Sequence, residues 1–188
     1  MVKLTKIYTR SGDDGSTALA DGTRRAKHDA RIAAYGAVDE TNAALGMARL
    51  HTKQQPTLDA VLARLQNDLF DLGADLATPD TEDFEPLRVT PQQVARLETE
   101  IDELNEKLAP LDSFVLPGGS AAAAHLHLAR TLMRRAERRL SAAMEAGESF
   151  SEAARQFINR ASDLLFVAAR IANNDGKNDV KWEPGQNR

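Results

Sequence analysis

The run RTLMRRAERRL spaces Arg130, Arg134 and Arg138 four residues apart, so on a helix their guanidinium groups form one row about 12 Å long. Such a row suits a polyphosphate, because arginine forks hold phosphate oxygens bidentately and keep their charge. Only Glu137 lies close enough on the same helix to offset it, whereas Arg135 and Arg139 fall on the far side, toward solvent. The same run equally suits a solvated, ion-paired helix surface. A second candidate is TRSGDDGST, where Gly12 and Gly15 sit among the hydroxyls of Thr9, Ser11, Ser16 and Thr17 and free backbone N–H groups could turn toward an anion. It is neither a Walker A loop nor an EF-hand, and a plain turn between extended pieces explains it as well. Lys27, beyond a second turn at Asp21 and Gly22, could fold back onto the same anion.

A carboxylate and an amide complete the polar set. Ile32, Tyr35, Asp39, Asn42 and Gly46 share one side of a helix, so Asp39 is expected to face the bundle or a subunit contact. A buried carboxylate needs a partner, and Arg130 is the natural one, whether the pair serves structure or chemistry. Asn159 could read an adenine or ribose edge, or bond a neighbouring helix.

The elements that must carry these residues are helical. Periodicity predicts helices at about 30–50, 57–77, 91–108, 120–146 and 152–173, which makes an all-α five-helix bundle. Pro56, the stretches TPDTEDFEP and APLDSFVLPGGS, and Gly147 with Ser149 separate them, and Thr90, Pro91 and Gln93 form a capping box with proline in the first turn. In the fourth helix Leu126, Ala129, Met133, Ala136, Leu140 and Ala143 define the packed face. The fifth is apolar nearly all round but carries a polar line at Asn159, Ser162, Asp163 and Arg170. One domain over 1–188 is expected, with an extended N-terminal arm at 1–28, a bundle at 29–173 and a loose polar tail at 174–188.

Composition removes several classes of function. The chain has no cysteine, which excludes disulfides, zinc–thiolate sites, iron–sulfur clusters and a cysteine nucleophile, so any low-potential electron must come from outside. A net charge of -4 argues against a nucleic-acid binder, and no long apolar run suggests a membrane span or a leader, so the cytosol is the expected compartment. His125 and His127 point to different sides of a helix and cannot chelate together; no Glu-x-x-His occurs. Phe114, in SFVLPGG, reads from its setting as a loop residue anchoring a turn.

Taken together, KIYTRSGDDGST, Lys27, AYGAVDETNAALG, SFVLPGG, RTLMRRAERR and FINRASDLLFVAAR closely resemble ATP:cob(I)alamin adenosyltransferases of the propanediol-utilisation type, in order over residues 4–173. The resemblance implies a homotrimer with active sites between subunits, ATP held by the arm of one chain and carrying Mg²⁺, and a corrinoid such as cobalamin beside it. It implies that Thr9, Arg10, Ser11, Gly12, Thr17, Ala18 and Lys27 wrap ATP, with Arg134, Arg135, Glu137, Arg138 and Asn159 completing its site. Arg130 and Asp39 become an ion pair across the subunit interface, with Asp39 beside the corrinoid, and Phe114 the aromatic ring on the lower face of the corrin. An external reductase, and an acceptor enzyme that uses the product, are the implied partners. Ser11 stands where the family usually has threonine, and Ala20 and Asp21 stand where many relatives carry Phe-Gly.

Overall fold

The computed structural model describes residues 7–80 and 84–188. Leu4, and the linker residues Thr81, Glu82 and Asp83 of the second break, lie outside the described residues. Five helices follow a short hairpin: β1 (Ser16–Ala18), β2 (Arg24–Ala26), α1 (Ala30–Arg49), α2 (Pro56–Leu76), α3 (Pro91–Asn105), α4 (Ala121–Glu145) and α5 (Glu152–Ala172). Local chemistry starts each helix. Asp29, Ser120 and Ser151 cap α1, α4 and α5 by accepting from the backbone N–H of Arg31, Ala123 and Ala154. Thr90 and Gln93 form the reciprocal capping box predicted for α3, and proline opens both α2 and α3.

Packing runs α2 on α1, α1 on α4, α4 on α5 and α5 on α3, with α5 also touching α2. The face of α4 read from the sequence is the buried one: Leu126, Ala129, Met133, Ala136 and Ala143 are fully enclosed and Leu140 nearly so. On α1 the buried face is Ala34, Ala37, Val38, Thr41, Leu45 and Ala48, which leaves Asp39 exposed. Of the two settings expected for Asp39, the bundle is thereby excluded, and the outward face is the one a subunit contact would use. Alanines surround α1, so its hydrophobic stripe has no sharp edge in the sequence and the rotation cannot be read from it.

The arm holds more structure than extended chain. β1 and β2 pair antiparallel with Thr17 opposite Arg25, the buried Leu19 anchors the hairpin, and the Ala20 N–H reaches the Ala77 carbonyl at the end of α2. Nor is the tail loose, because residues 179–182 run back along the α3–α4 loop and pair with it at Val115 and Lys181.

One buried cation fastens three elements. Arg31, 2% exposed, donates from Nε to Glu148 at 2.5 Å, from Nη1 to the Leu76 carbonyl at 2.8 Å and from Nη2 to the Ser149 carbonyl at 2.9 Å. Its guanidinium also lies 4.4 Å from the centre of the Phe150 ring. Replacing Arg31 with methionine roughly keeps the volume but strands two carbonyls and leaves Glu148 only its longer ion pair with Arg25, at 3.4 Å. Urea unfolding of Arg31→Met should show a loss of about 3 kcal/mol; a loss below about 1 kcal/mol would mean that water replaces the guanidinium without penalty.

Candidate functional site

Helical rotation divides the residues of interest among three grooves. On the α4–α5 side, Arg134 and Arg138 are exposed and neither has a carboxylate within salt-bridge distance among the described residues. Glu137 is occupied, accepting from Asn159 Nδ2 at 3.0 Å, and Asn159 Oδ1 accepts from Arg160, which pairs with Glu98 of α3. Asn159 thus bonds its neighbouring helix through Glu137. Burial raises the Asp163 pKa, with Arg160 and Arg134 pulling the other way.

One turn toward the N-terminus of α4, Arg130 is half-buried and its Nε is enclosed with no hydrogen-bond partner. Burial first, and the Arg134 charge second, depress its pKa. Arg130 lines a cavity of about 470 Å³ with Leu111, Ser113, Phe114, Val115 and Phe166. Phe114, 77% exposed, is the most open aromatic ring there. An apolar cleft against an arginine row can hold a flat, largely apolar ligand beside a polyphosphate.

The α1–α4 side carries the arm. A methyl group added at Gly12 would stand 3.2 Å from Lys27 Nζ, so the lysine does fold back over the first turn. That turn is internally fastened: Asp14 accepts from the Ser16 N–H at 2.9 Å and its hydroxyl at 2.6 Å, which lowers the Asp14 pKa, and Arg24 donates to the Ser11 carbonyl at 2.6 Å. The Thr9 and Ser11 hydroxyls are 2.8 Å apart, and Arg10 between them has φ +62°, a left-handed conformation that costs a long side chain about 1–2 kcal/mol. Thr17 sits in β1 and Ala18 at its exposed end. Lys27 shares a cavity of about 390 Å³ with Gly36, Glu40, Arg135 and Arg139. Arg135 is ion-paired with Glu40 of α1 at the surface, its side chain 41% exposed, and Arg139 is exposed too, both as expected.

Asp39 occupies a third groove, between α1 and α2, with Tyr35, Asn42, Leu69 and Phe70 around about 370 Å³. It has no ion-pair partner among the described residues, so the expected pairing with Arg130 is not made inside one subunit. The structure therefore brings Arg130, Arg134, Glu137, Arg138, Asn159 and Phe114 along one flank. Lys27 and Arg135 stand on a second and Asp39 on a third. Phe166 and Phe70 were missed as lining residues, since an aromatic in an apolar helix reads as core until the fold leaves it at a cleft.

A family model for cobalamin adenosyltransferase matches residues 7–172, spanning the arm and all five helices. The chain belongs to that family. It is 50% identical over 190 residues to a corrinoid adenosyltransferase of Mycobacterium bovis, covering 100% of this chain and 97% of that one. Among solved structures, a PduO-type ATP:corrinoid adenosyltransferase from Lactobacillus reuteri, a phenylalanine-to-alanine variant complexed with cobalamin and ATP, superposes with TM-score 0.86. The two are 37% identical, and the match covers 95% of this chain and 99% of that one. An arginine-to-lysine variant of the same enzyme, complexed with ATP, superposes with TM-score 0.84 at 38% identity, covering 95% of this chain and 100% of that one.

Behind the α4–α5 groove of this family member, His127 is 3% exposed, its Nδ1 lacks a partner, and its ring lies 6.2 Å from Phe166. Burial, then the Arg130 charge, lowers its pKa. The unfolded chain takes up that proton near the ordinary value of about 6.5 and the fold does not, so this contribution to stability is present at higher pH and lost as pH falls. Between pH 7.5 and 5.5 the wild type should lose about 1 kcal/mol more unfolding free energy than His127→Phe. Equal losses in urea titrations would show that His127 titrates freely in the fold.

Proposed function

We propose that this chain transfers the 5'-deoxyadenosyl group of ATP to cobalt(I) of cobalamin or a related corrinoid, forming adenosylcobalamin and releasing triphosphate. The observation that carries the reading is the pair of carboxylate-free arginines, Arg134 and Arg138, on the flank that also bears the Phe114 cleft. The likeness to relatives with this activity over the whole chain supports it.

The reaction asks the protein for position and charge. Cobalt(I) supplies the electron pair that forms the Co–C bond, the bond from C5' to the triphosphate oxygen breaks, and cobalt ends formally as cobalt(III). No side-chain nucleophile or proton transfer is needed. Arg134 and Arg138 stabilise charge growing on the departing triphosphate, while Thr9, Arg10, Ser11, Gly12, Thr17, Ala18 and Lys27 of the arm grip ATP. Phe114 excludes water and the lower axial base from cobalt(II), which favours the four-coordinate state and eases its reduction by an external reductase.

Among the described residues no three histidines or carboxylates gather to hold a metal, and Lys27, Arg134 and Arg138 are phosphate partners rather than metal ligands, so Mg²⁺ would come with the phosphates. When bound, Mg²⁺ would neutralise phosphate charge.

The site is assembled between subunits. Lys27 and the arm face a different groove from Arg134 and Arg138, so one ATP reaches both only if two chains contribute. Arg130 Nε and the exposed Asp39 are complementary charges on different faces, suited to pairing across that contact in a homotrimer.

The decisive experiment is anaerobic turnover of chemically reduced cobalamin with Mg-ATP, following loss of cobalt(I) absorbance and formation of the light-sensitive product. Arg134→Ala should lower kcat about a hundredfold or more. ATP binding without product would make this a nucleotide- or corrinoid-binding protein instead. For the interface, sedimentation should show that Asp39→Arg dissociates the assembly and that adding Arg130→Asp restores it; an assembly indifferent to both changes would remove the pair from the contact.

A further inference from the structure

The segment matched by the family model ends at residue 172, yet the chain that follows is built into the Phe114 cleft. Residues 179–183 form a strap along the loop between α3 and α4. The Leu116 N–H donates to the Val180 carbonyl at 2.8 Å, the Trp182 N–H to the Phe114 carbonyl at 2.8 Å, and Ser113 Oγ to the Trp182 carbonyl at 2.7 Å. Lys181 pairs with Asp112 at 2.6 Å. The Trp182 ring lies 6.1 Å from that of Phe114 at an interplanar angle of 53°, a tilted aromatic pair. Three backbone-directed bonds flanking one residue fix the Phe114 backbone, and the indole limits where its ring can turn.

The strap is itself anchored in the core. Asp179 and Arg170 form an ion pair at 2.8 Å with side chains 4% and 6% exposed, and Asn173 Nδ2 donates to the other Asp179 oxygen at 2.9 Å. The same cluster grips both ends of the Phe114 loop: Arg170 donates to the Ala109 carbonyl at 3.0 Å, and Asn173 Oδ1 accepts from the Ser120 N–H at 3.1 Å. Gly119 has φ +98°, and a Cβ there would stand 2.3 Å from Asn173 Oδ1, so this approach requires glycine. A buried ion pair with both carboxylate oxygens engaged holds one geometry, which suits registering two otherwise irregular segments.

We propose that this C-terminal strap is a positioning element for the cobalt(II) step, in which Arg170 and Asp179 act through the strap and Trp182 sets the angle of the Phe114 ring against the corrin face. The proposal rests on the adenosyltransferase reading. Loosening the strap leaves the ATP machinery in place but lets Phe114 swing, so the loss appears in kcat and in cobalt coordination rather than in KM for ATP.

Trp182 is the chain's only tryptophan, so its fluorescence reports strap docking without any assay of activity. In Asp179→Asn, acrylamide quenching should rise about twofold as a ring 45% exposed becomes fully exposed; unchanged quenching would overturn the anchor. In Trp182→Ala, bound cobalt(II)alamin in the presence of ATP should lose most of its four-coordinate absorption signature, and kcat from cobalt(II) should fall about tenfold or more with KM for ATP unmoved. The loss should be smaller when turnover starts from chemically prepared cobalt(I). A wild-type cobalt(II) spectrum in Trp182→Ala would overturn the positioning role. Should the wild-type protein form no product, the adenosyltransferase reading fails, and the quenching comparison still decides whether Asp179 holds the strap.

Discussion

The alanine-rich buried face of α4 lets α1 and α5 approach it closely, and that packing fixes the rotation of the helix about its axis. With Ala129, Met133 and Ala136 enclosed, the helical period leaves Arg130 at the edge of the core and Arg134 and Arg138 outside it. The arginines are therefore mounted on the most tightly held element of the bundle, and their spacing is not free to relax. The same rotation aims Arg135 at Glu40 of α1, so neighbouring arginines in one run serve different grooves. A rigid row of charge is preorganised for a charged ligand, since little reorganisation is needed when the ligand's charge grows.

Much of this was legible in the sequence because helices announce themselves locally. The capping box at Thr90, the prolines that open α2 and α3, and the packed face of α4 are short-range signals that tertiary structure leaves intact. Whether Asp39 faces the bundle or outward was not legible because α1 carries alanine on nearly every side, and an alanine contributes too little contrast to locate a stripe. The tail was read as loose because its composition is polar. Its docking depends on Asp179 meeting Arg170 and on backbone pairing with residues some sixty positions earlier, and neither leaves a periodic trace. Arg170 belonged to the polar line recognised on α5, but its partner lay beyond the helix and could not be named from spacing.

The division of candidate residues among three grooves also follows from geometry. A helix about 10 Å across cannot present Lys27 and Arg138 to one small ligand when they lie on different sides of α4. Arg130 meanwhile keeps a buried nitrogen unpartnered, a cost of about 1–3 kcal/mol that a lone subunit carries without return. The intersubunit contact proposed above would remove both difficulties at once, by supplying a carboxylate to Arg130 and an arm to Arg134 and Arg138.

The titratable groups agree with chemistry that moves no proton. Around the α4–α5 groove, Arg130 and His127 have lowered pKa values and Asp163 a raised one, and in all three burial is the leading cause. Arg130 and His127 are thus held at the buried edge of the groove, whereas Asp163 opens to solvent. A general acid or base would instead need a donor–acceptor partner poised beside the reacting atom. The positive charges that face solvent are the guanidinium groups of Arg134 and Arg138. Displacement of triphosphate by a metal-centred nucleophile requires fixed positive charge at one end and a dry, shaped surface at the other. In this fold a single helix carries the first, and the loop that leads into it carries the second.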